Sequence, residues 1–322
     1  MKATAIAPSN IAFIKYWGKK DEDLKIPENG SISMNLSNLI TTTTVEFDPR
    51  YKKDLITINN KSDEQEENRI IKHLNLIRKK ANINLNAKVI STNNFPDETG
   101  LSSSASGFAA LTLAVAKAIG LNLKEKELSI LARQGSGSAC RSIPDGFVEW
   151  LGGDTSYAES LYPPEYWAIV DVVAIVSQEK KETSSTDGQK LTTTSPFFIT
   201  RLNNINEKIN RFKESLKTKN FTEFGQLVEN EALELHAIML TSTPSLIYWQ
   251  PETIKMMKLI KKWRDEGLEV YFTLNTGQDI HLIAEEKNTE MLVERLQNIK
   301  EVKKVIINQP ANGARLVDKH LF

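Results

Sequence analysis

Gly100-Leu101-Ser102-Ser103-Ser104-Ala105-Ser106-Gly107 sets three consecutive hydroxyls between glycines, just ahead of an apolar segment with helical spacing: Phe108, Leu111, Val115 and Ile119. Loop amides and hydroxyls delivered to a helix N-terminus form an anion site, because unpaired N–H groups and the helix dipole both favour negative charge. The stretch reads either as a phosphate loop or as a Ser-rich capped turn that holds nothing. It is not a Walker A loop, G-x-x-x-x-G-K-[ST], since no lysine follows Gly107. Nor is Gly135-Ser136-Gly137 a dinucleotide fingerprint, because Cys140 stands where the third glycine belongs.

Working outward, residues 87–91 read as a strand leading into the loop, and residues 107–119 as a helix ended by Gly120. A second helix is expected over 124–133. Upstream, residues 2–7 form a short strand stopped by Pro8, and 31–47, rich in Ile, Thr and Val, form one or two strands. Residues 63–81 read as a helix with Ile70, Ile71, Leu74 and Ile77 on one face and an acidic start that suits its dipole. Residues 167–176 are apolar and β-branched, as in a buried strand. A polar, Thr/Ser-rich stretch over 178–196 marks the best domain boundary. Helices at 201–216, 221–239, 251–265 and 290–298 then alternate with strands at 270–274, 280–284 and 302–307. The class is α/β or α+β.

The chain of 322 residues is long enough for two domains or one large one. Lys+Arg and Asp+Glu are both 41, so there is no broad basic field, and neither nucleic acid nor an anionic membrane is expected as a partner. The one cysteine, Cys140, excludes an intrachain disulfide and fits a reducing cytoplasm. Residues 1–9 lack a signal-peptide core, and no apolar run approaches the roughly 20 residues that span a bilayer. A soluble cytoplasmic protein is expected.

Two further clusters carry chemistry. In Asn10-Ile11-Ala12-Phe13-Ile14-Lys15-Tyr16-Trp17-Gly18-Lys19, two lysines flank an aromatic pair and a glycine, an arrangement able to offer cations to phosphate oxygens; surface lysines at a strand end are the plainer reading. In Gly135-Ser136-Gly137-Ser138-Ala139-Cys140-Arg141-Ser142, small residues permit close approach, two hydroxyls suit an anion, and the Arg141 fork matches a carboxylate. His73, His236, His281 and His320 show no metal-ligand spacing, and Tyr248-Trp249 and Glu149-Trp150 read as packing.

Together these stretches resemble the mevalonate diphosphate decarboxylase branch of the GHMP kinase superfamily. The similarity lies in Asn-Ile-Ala…Lys-Tyr-Trp-Gly-Lys, in Pro96…Gly100-Leu101-Ser102-Ser103-Ser104-Ala105, in Gly135-Ser136-Gly137-Ser138…Arg141-Ser142…Gly146-Phe147-Val148-Glu149-Trp150, and in Ser184-Ser185-Thr186-Asp187-Gly188. It implies an α+β, two-lobed GHMP fold: an N-terminal lobe over 1–181 like ribosomal protein S5 domain 2, and a C-terminal α+β lobe over 182–322, in a homodimer. It implies ATP and Mg2+, phosphorylation of the 3-hydroxyl of mevalonate 5-diphosphate, and loss of phosphate with CO2 to give isopentenyl diphosphate.

By the same resemblance, Tyr16, Lys19, Ser136, Gly137 and Ser138 hold the substrate's 5-phosphates, and Arg141 grips its carboxylate beside Asn10. Pro96, Gly100, Leu101, Ser102, Ser103, Ser104 and Ala105 form the nucleotide loop, with Ser104 at the metal. Ser185 lies near the transferred phosphate, and Lys15 joins the catalytic set.

One departure stands out. The family's catalytic aspartate, in a Phe-Asp-Ala-Gly-like turn, aligns with Leu274-Asn275-Thr276-Gly277. A neutral amide is no base, and base assistance is worth roughly 10²–10⁴ in rate. Three explanations stand. Asn275 is an introduced change that traps a complex. It is natural, with Asp279 or the substrate's own phosphate serving instead. Or the kinase step is abandoned and the substrate arrives already phosphorylated, as a mevalonate 3,5-bisphosphate. Substrate choice extends to the 5-monophosphate, and the rivals are a plain GHMP kinase and a catalytically silent ligand-binding protein.

Overall fold

The first strand, β1 (Lys2–Ile14), is buried along almost its whole length, so its residues lack the in–out alternation of a half-exposed strand. The computed structural model describes residues 1–95, 101–177 and 182–322. After β1 come the short paired strands β2 (Lys19–Asp21) and β3 (Ile26–Pro27), then β4 (Ser31–Phe47), β5 (Leu55–Ile58), α1 (Glu64–Ala81), β6 (Ala87–Asn93), α2 (Ser103–Ala118) and α3 (Glu125–Gly135). A 3-10 turn (Gly137–Ser142) leads to β7 (Phe147–Trp150), β8 (Ala158–Tyr162) and β9 (Ile169–Ile175). The rest is α4 (Ser185–Lys190), α5 (Phe198–Thr218), α6 (Phe221–Leu240), α7 (Pro251–Asp265), β10 (Val270–Thr273), β11 (Ile280–Glu285), α8 (Thr289–Gln297), β12 (Lys304–Asn308) and β13 (Arg315–Val317).

Two sheets organise these elements. The first has seven strands, ordered β13-β1-β4-β6-β5, with β7 pairing β4 and β8 pairing β7; only β5–β6 is parallel. The second is antiparallel, β10-β11-β9-β12. Ala5, Ala7, Val45 and Val89 of the first sheet pack against Phe108, Ala109, Ala114 and Leu131 of α2 and α3. Farther along the same strands, Ile11, Phe13 and Met34 join Phe212 of α5, Phe224 and Val228 of α6, and Val173 and Ile283 of the second sheet. The far side of that sheet packs Phe272 and Leu282 against Met256 and Trp263 of α7 and Leu292 of α8. One shared core therefore fixes the sheets relative to each other.

Two expectations need correcting, on Pro8 and on the helix start, and the one or two strands expected over 31–47 prove to be one. Pro8 does not end β1: pairing with β13 covers only Thr4, Ala5 and Ile6, and a register shift against β4 follows Pro8, so its missing N–H falls where fewer bonds are required. Residues 31–47 are a single strand, paired to β7 at one end and β6 at the other. The helix after the serine loop starts at Ser103, so the hydroxyls lie on its first turn. The lobe boundary expected at Lys181 falls outside the described residues; β9, on its N-terminal side, pairs with β11 and β12, and β13 returns to the first sheet. No helix among the described residues is long and apolar enough to cross a membrane.

The seating of α6 on the second sheet depends on Gly225, where an added Cβ would lie 1.9 Å from Cδ2 of Tyr271. Gly225→Ala is expected to lose a net ~1–2 kcal/mol, the overpacking exceeding alanine's gain in helix propensity. A urea midpoint equal to that of the wild type would show that α6 slides past Tyr271 at no cost.

Candidate active site

The residues following β1 and those opening α2 meet across a cavity of about 530 Å³. Lys15, Tyr16 and Lys19 line one wall; Leu101, Ser102, Ser103 and Ser104 line another; Ser136, Gly137, Ser138 and Arg141 come from the 3-10 turn and its start. Ser185 and Asn275 close it from the second half of the chain. Two of the residues expected at the site lie behind this surface. Asn10 is buried and holds Arg141, and Ala105 is buried in the first turn of α2. Pro96 and Gly100 lie outside the described residues.

Arg141 is 4% exposed. Its Nε and Nη2 donate to Asn10 Oδ1 at 3.3 and 3.1 Å, and its Nη1 donates to Ser31 Oγ at 2.7 Å. Asn10 is itself fixed through donation to Ser138 O at 3.2 Å and Ser142 Oγ at 2.8 Å. The guanidinium stands 5.7 Å from the Trp150 ring centroid, a cation–π arrangement. Burial pulls its pKa down, and among the described residues no carboxylate forms an ion pair with it. Gly137 lets Tyr16 approach: a Cβ there would sit 3.0 Å from the Tyr16 hydroxyl. Lys19, almost buried at its side chain, pairs with the more exposed Glu22 at 2.7 Å.

At the head of α2, Ser102 takes the left-handed backbone (φ +58°), a conformation uncommon outside glycine. Its side chain makes no capping bond, and of the first-turn amides that of Ala105 is taken up by Ser102 O at 2.9 Å. Ser104 Oγ lies 3.2 Å from Ser136 Oγ, joining the two serine clusters. Thr41 of β4 reaches Ser106 of α2 at 2.6 Å and pins the helix to the sheet.

Opposite stands the Lys15–Asn275 pair. Lys15 Nζ donates to Ala12 O at 2.6 Å and to Asn275 Oδ1 at 3.2 Å. The Asn275 side-chain amide donates to Ser102 Oγ at 3.2 Å, bridging the two halves of the chain, while the residue's main-chain carbonyl accepts from His236 Nε2 at 3.0 Å. His236 stacks on Trp249, and burial lowers its pKa to about 3, so it is neutral. Ser185 and Thr276 hydroxyls also meet. Asp279, the substitute base that the sequence offers, accepts the Val176 N–H at 3.0 Å and does not line the cavity. Cys140 is buried with its thiol on Gly137 O, and burial pushes its pKa up to about 12, which leaves it inert.

Reading the motifs missed the network beneath Lys15. Glu231 of α6 accepts the Lys15 N–H at 2.9 Å and pairs with Arg201 of α5 and with Lys208 at 2.8 Å; Arg201 also donates to Lys15 O at 2.9 Å. Both Arg201 and Glu231 side chains are fully buried. Burial alone would raise the Glu231 pKa, but Arg201 and Lys208 outweigh it and hold the carboxyl below its usual range. The available signal was a charge on each helix's apolar stripe: Glu231 beside Val228 and Leu235, Arg201 beside Phe198 and Ile205.

A serine-opened helix facing a cleft between two mainly antiparallel sheets is the plan of the GHMP small-molecule kinases. Residues 7–161 match the diphosphomevalonate decarboxylase-like N-terminal domain, and residues 171–317 match the mevalonate 5-diphosphate decarboxylase C-terminal domain. Over 310 residues the chain is 35% identical to the diphosphomevalonate decarboxylase of Debaryomyces hansenii, covering 89% of this chain and 80% of the relative. Against the human diphosphomevalonate decarboxylase the identity is 33% over 300 residues, with 85% and 74% covered. The mevalonate diphosphate decarboxylase of Staphylococcus aureus superposes with a TM-score of 0.94 at 35% identity over 98% of each chain. The complex of MDDEF with MVAPP, AMPPCP and magnesium gives 0.93 at 37% identity over 99% of each. The chain belongs to the mevalonate diphosphate decarboxylase family.

Glu231→Gln leaves Arg201 buried beside a neutral partner and is expected to cost about 3 kcal/mol in denaturant unfolding. Because the folded pKa of Glu231 is lowered from 4.5, its contribution is complete above that value and lost as pH falls through the lowered one. Wild-type stability should therefore fall more steeply with acid than that of the variant. Parallel acid curves would remove Glu231 from this role.

Proposed function

We propose that this chain catalyses the ATP-dependent decarboxylation of mevalonate 5-diphosphate to isopentenyl diphosphate, with Arg141 gripping the C1 carboxylate. One observation carries the reading: a buried guanidinium without a carboxylate partner among the described residues faces the cavity that the serine loop shares. A buried unpaired cation is costly, and a bidentate ligand carboxylate removes that cost. Tyr16, Lys19, Ser136 and Ser138 take the 5-diphosphate. Ser102, Ser103 and the uncapped amides of α2 take the nucleotide phosphates. The apolar slot between Ile58, Ile70, Phe108 and Leu111, flanked by Asn59 and Lys61, suits the nucleoside. Ser104, which lines the cavity, would offer a hard hydroxyl oxygen to Mg2+, which would supply neutralisation of phosphate charge there.

The chemistry follows from this placement. Hydroxide is a poor leaving group, and no carbonyl stands β to the carboxylate to accept electrons. Phosphorylating the tertiary 3-hydroxyl makes its oxygen expellable. The C1–C2 electron pair then becomes the C2=C3 bond as C3–O breaks, releasing CO2 and phosphate. Holding both ends of the substrate keeps those bonds aligned. The reading extends to a homodimer in the cytoplasm, supported by the family resemblance and by the lone, buried Cys140.

The Asn275 amide favours a second reading, decarboxylation of a mevalonate 3,5-bisphosphate without ATP. Following ADP and CO2 separately, with mevalonate 5-diphosphate, 5-phosphate and 3,5-bisphosphate and with or without ATP, decides between them. Equal ADP and CO2 from the 5-diphosphate are expected. CO2 from the bisphosphate alone would establish the second reading, and no turnover on any would leave a binding protein. Arg141→Ala is expected to lower CO2 release at least ~100-fold with little change in nucleotide affinity; equal losses would make Arg141 a scaffold residue. Asn275→Asp, which restores a carboxylate at the turn, is expected to raise ADP release about 10-fold or more, and unchanged turnover would reject that role for the position.

A further inference from the structure

Phosphoryl transfer to a tertiary hydroxyl releases a proton, and the turn at 274–277 offers an amide where a carboxylate would receive it. We propose, resting on the reading above, that the amine of Lys15 is the proton acceptor for this step. Lys15 is 2% exposed and lines the cavity. Both acceptors that hold its Nζ, Ala12 O and Asn275 Oδ1, are uncharged. The acidic residues that line the cavity are Asp63 and Glu66, at the start of α1; Asp63 caps that helix and Glu66 pairs with Arg69. Among the described lining residues, the substrate hydroxyl thus has no carboxylate beside Lys15 and Arg141.

The charges around Lys15 act in opposite directions. Glu231 from α6 favours the ammonium, but its oxygens are occupied by the Lys15 main chain, Arg201 and Lys208. Asp171 of β9 also favours the ammonium, from within its own pair with His281 of β11. Arg141 of the 3-10 turn and Arg201 of α5 oppose it, and His236 of α6 is neutral. Burial is the largest effect and brings the amine down from 10.5 to about 7, so a substantial neutral fraction exists at neutral pH.

The step balances. The hydroxyl proton passes to the Lys15 lone pair as the substrate oxygen bonds to the γ-phosphorus and the bond to ADP breaks. The ammonium keeps Ala12 O and Asn275 Oδ1 as acceptors. When C3–O breaks, it returns the proton to the departing phosphate, which leaves as hydrogen phosphate, and the amine is regenerated.

The test is the pH dependence of kcat/KM for ADP release from mevalonate 5-diphosphate, in the wild type, Asn275→Asp and Lys15→Arg. The wild type should rise with pH through an inflection near 7, reporting the free enzyme. In Asn275→Asp the new carboxylate takes the proton and stabilises the ammonium, so that limb should move to lower pH. A limb belonging to a substrate phosphate would stay in place in both proteins. Lys15→Arg keeps the cation but cannot accept a proton, and should lose at least about 100-fold while still binding ATP. A flat wild-type profile, a limb unmoved in Asn275→Asp, or near-full activity in Lys15→Arg overturns the lysine assignment alone. A wild type that makes neither ADP nor CO2 overturns the proposed function and the lysine role with it. The wild-type profile decides the matter even if Lys15→Arg fails to fold.

Discussion

A carboxylate with no access to water, Glu231, is the constraint around which this molecule is arranged. It survives burial only because Arg201, Lys208 and the backbone N–H of Lys15 satisfy it together. Those partners come from α5 and the segment just after β1, and Glu231 itself from α6, so one ionic knot joins the first sheet to the helices of the second half. Arg201 also holds the Lys15 carbonyl, and Asn29 donates to the same carbonyl at 2.8 Å. The backbone of Lys15 is clamped from both sides, which makes the direction of its side chain a property of the fold.

The two ends of the cavity follow different electrostatic plans. At Arg141 a permanent cation is left with neutral partners, Asn10 and Ser31, and an aromatic face. Such a group stays charged and waits for an anion. At Lys15 the two acceptors of the amine are equally neutral, but an amine can shed its charge where a guanidinium cannot. Burial with neutral hydrogen-bond partners thus yields a fixed clamp at one point and a titratable group at the other. Asn275 fills the turn at 274–277 with a side chain of carboxylate size that accepts from Lys15 and donates to Ser102, but it carries no negative charge.

Much of this was legible in the chain. The Ser102-Ser103-Ser104 run, the Lys15 to Lys19 segment and the Gly135 to Arg141 cluster announce themselves by local composition, and the fold brings all three to one cavity. Asp63 marked the start of α1 correctly because an N-cap is a local interaction. The misses arose where distant pairing decided the outcome. Pro8 reads as a terminator until the reach of β13 is known, and β9 reads as part of the preceding half until its partners, β11 and β12, are placed. Glu231 and Arg201 each look like an error on an apolar helix face and make sense only as a pair.

The return of β13 to the edge of β1 carries a consequence for the order of assembly. Thr4, Ala5 and Ile6 find their outer neighbours in Arg315, Leu316 and Val317, far along the sequence. While the ribosome is still at work, that rim of the nascent sheet stands bare, open to any foreign strand that comes past. The Ala-Thr-Ala-Ile stretch offers small side chains and little charge to deter such an encounter. Closure of the rim thus waits until residues 315–317 have been made, and until then its protection must come from chaperones or from speed.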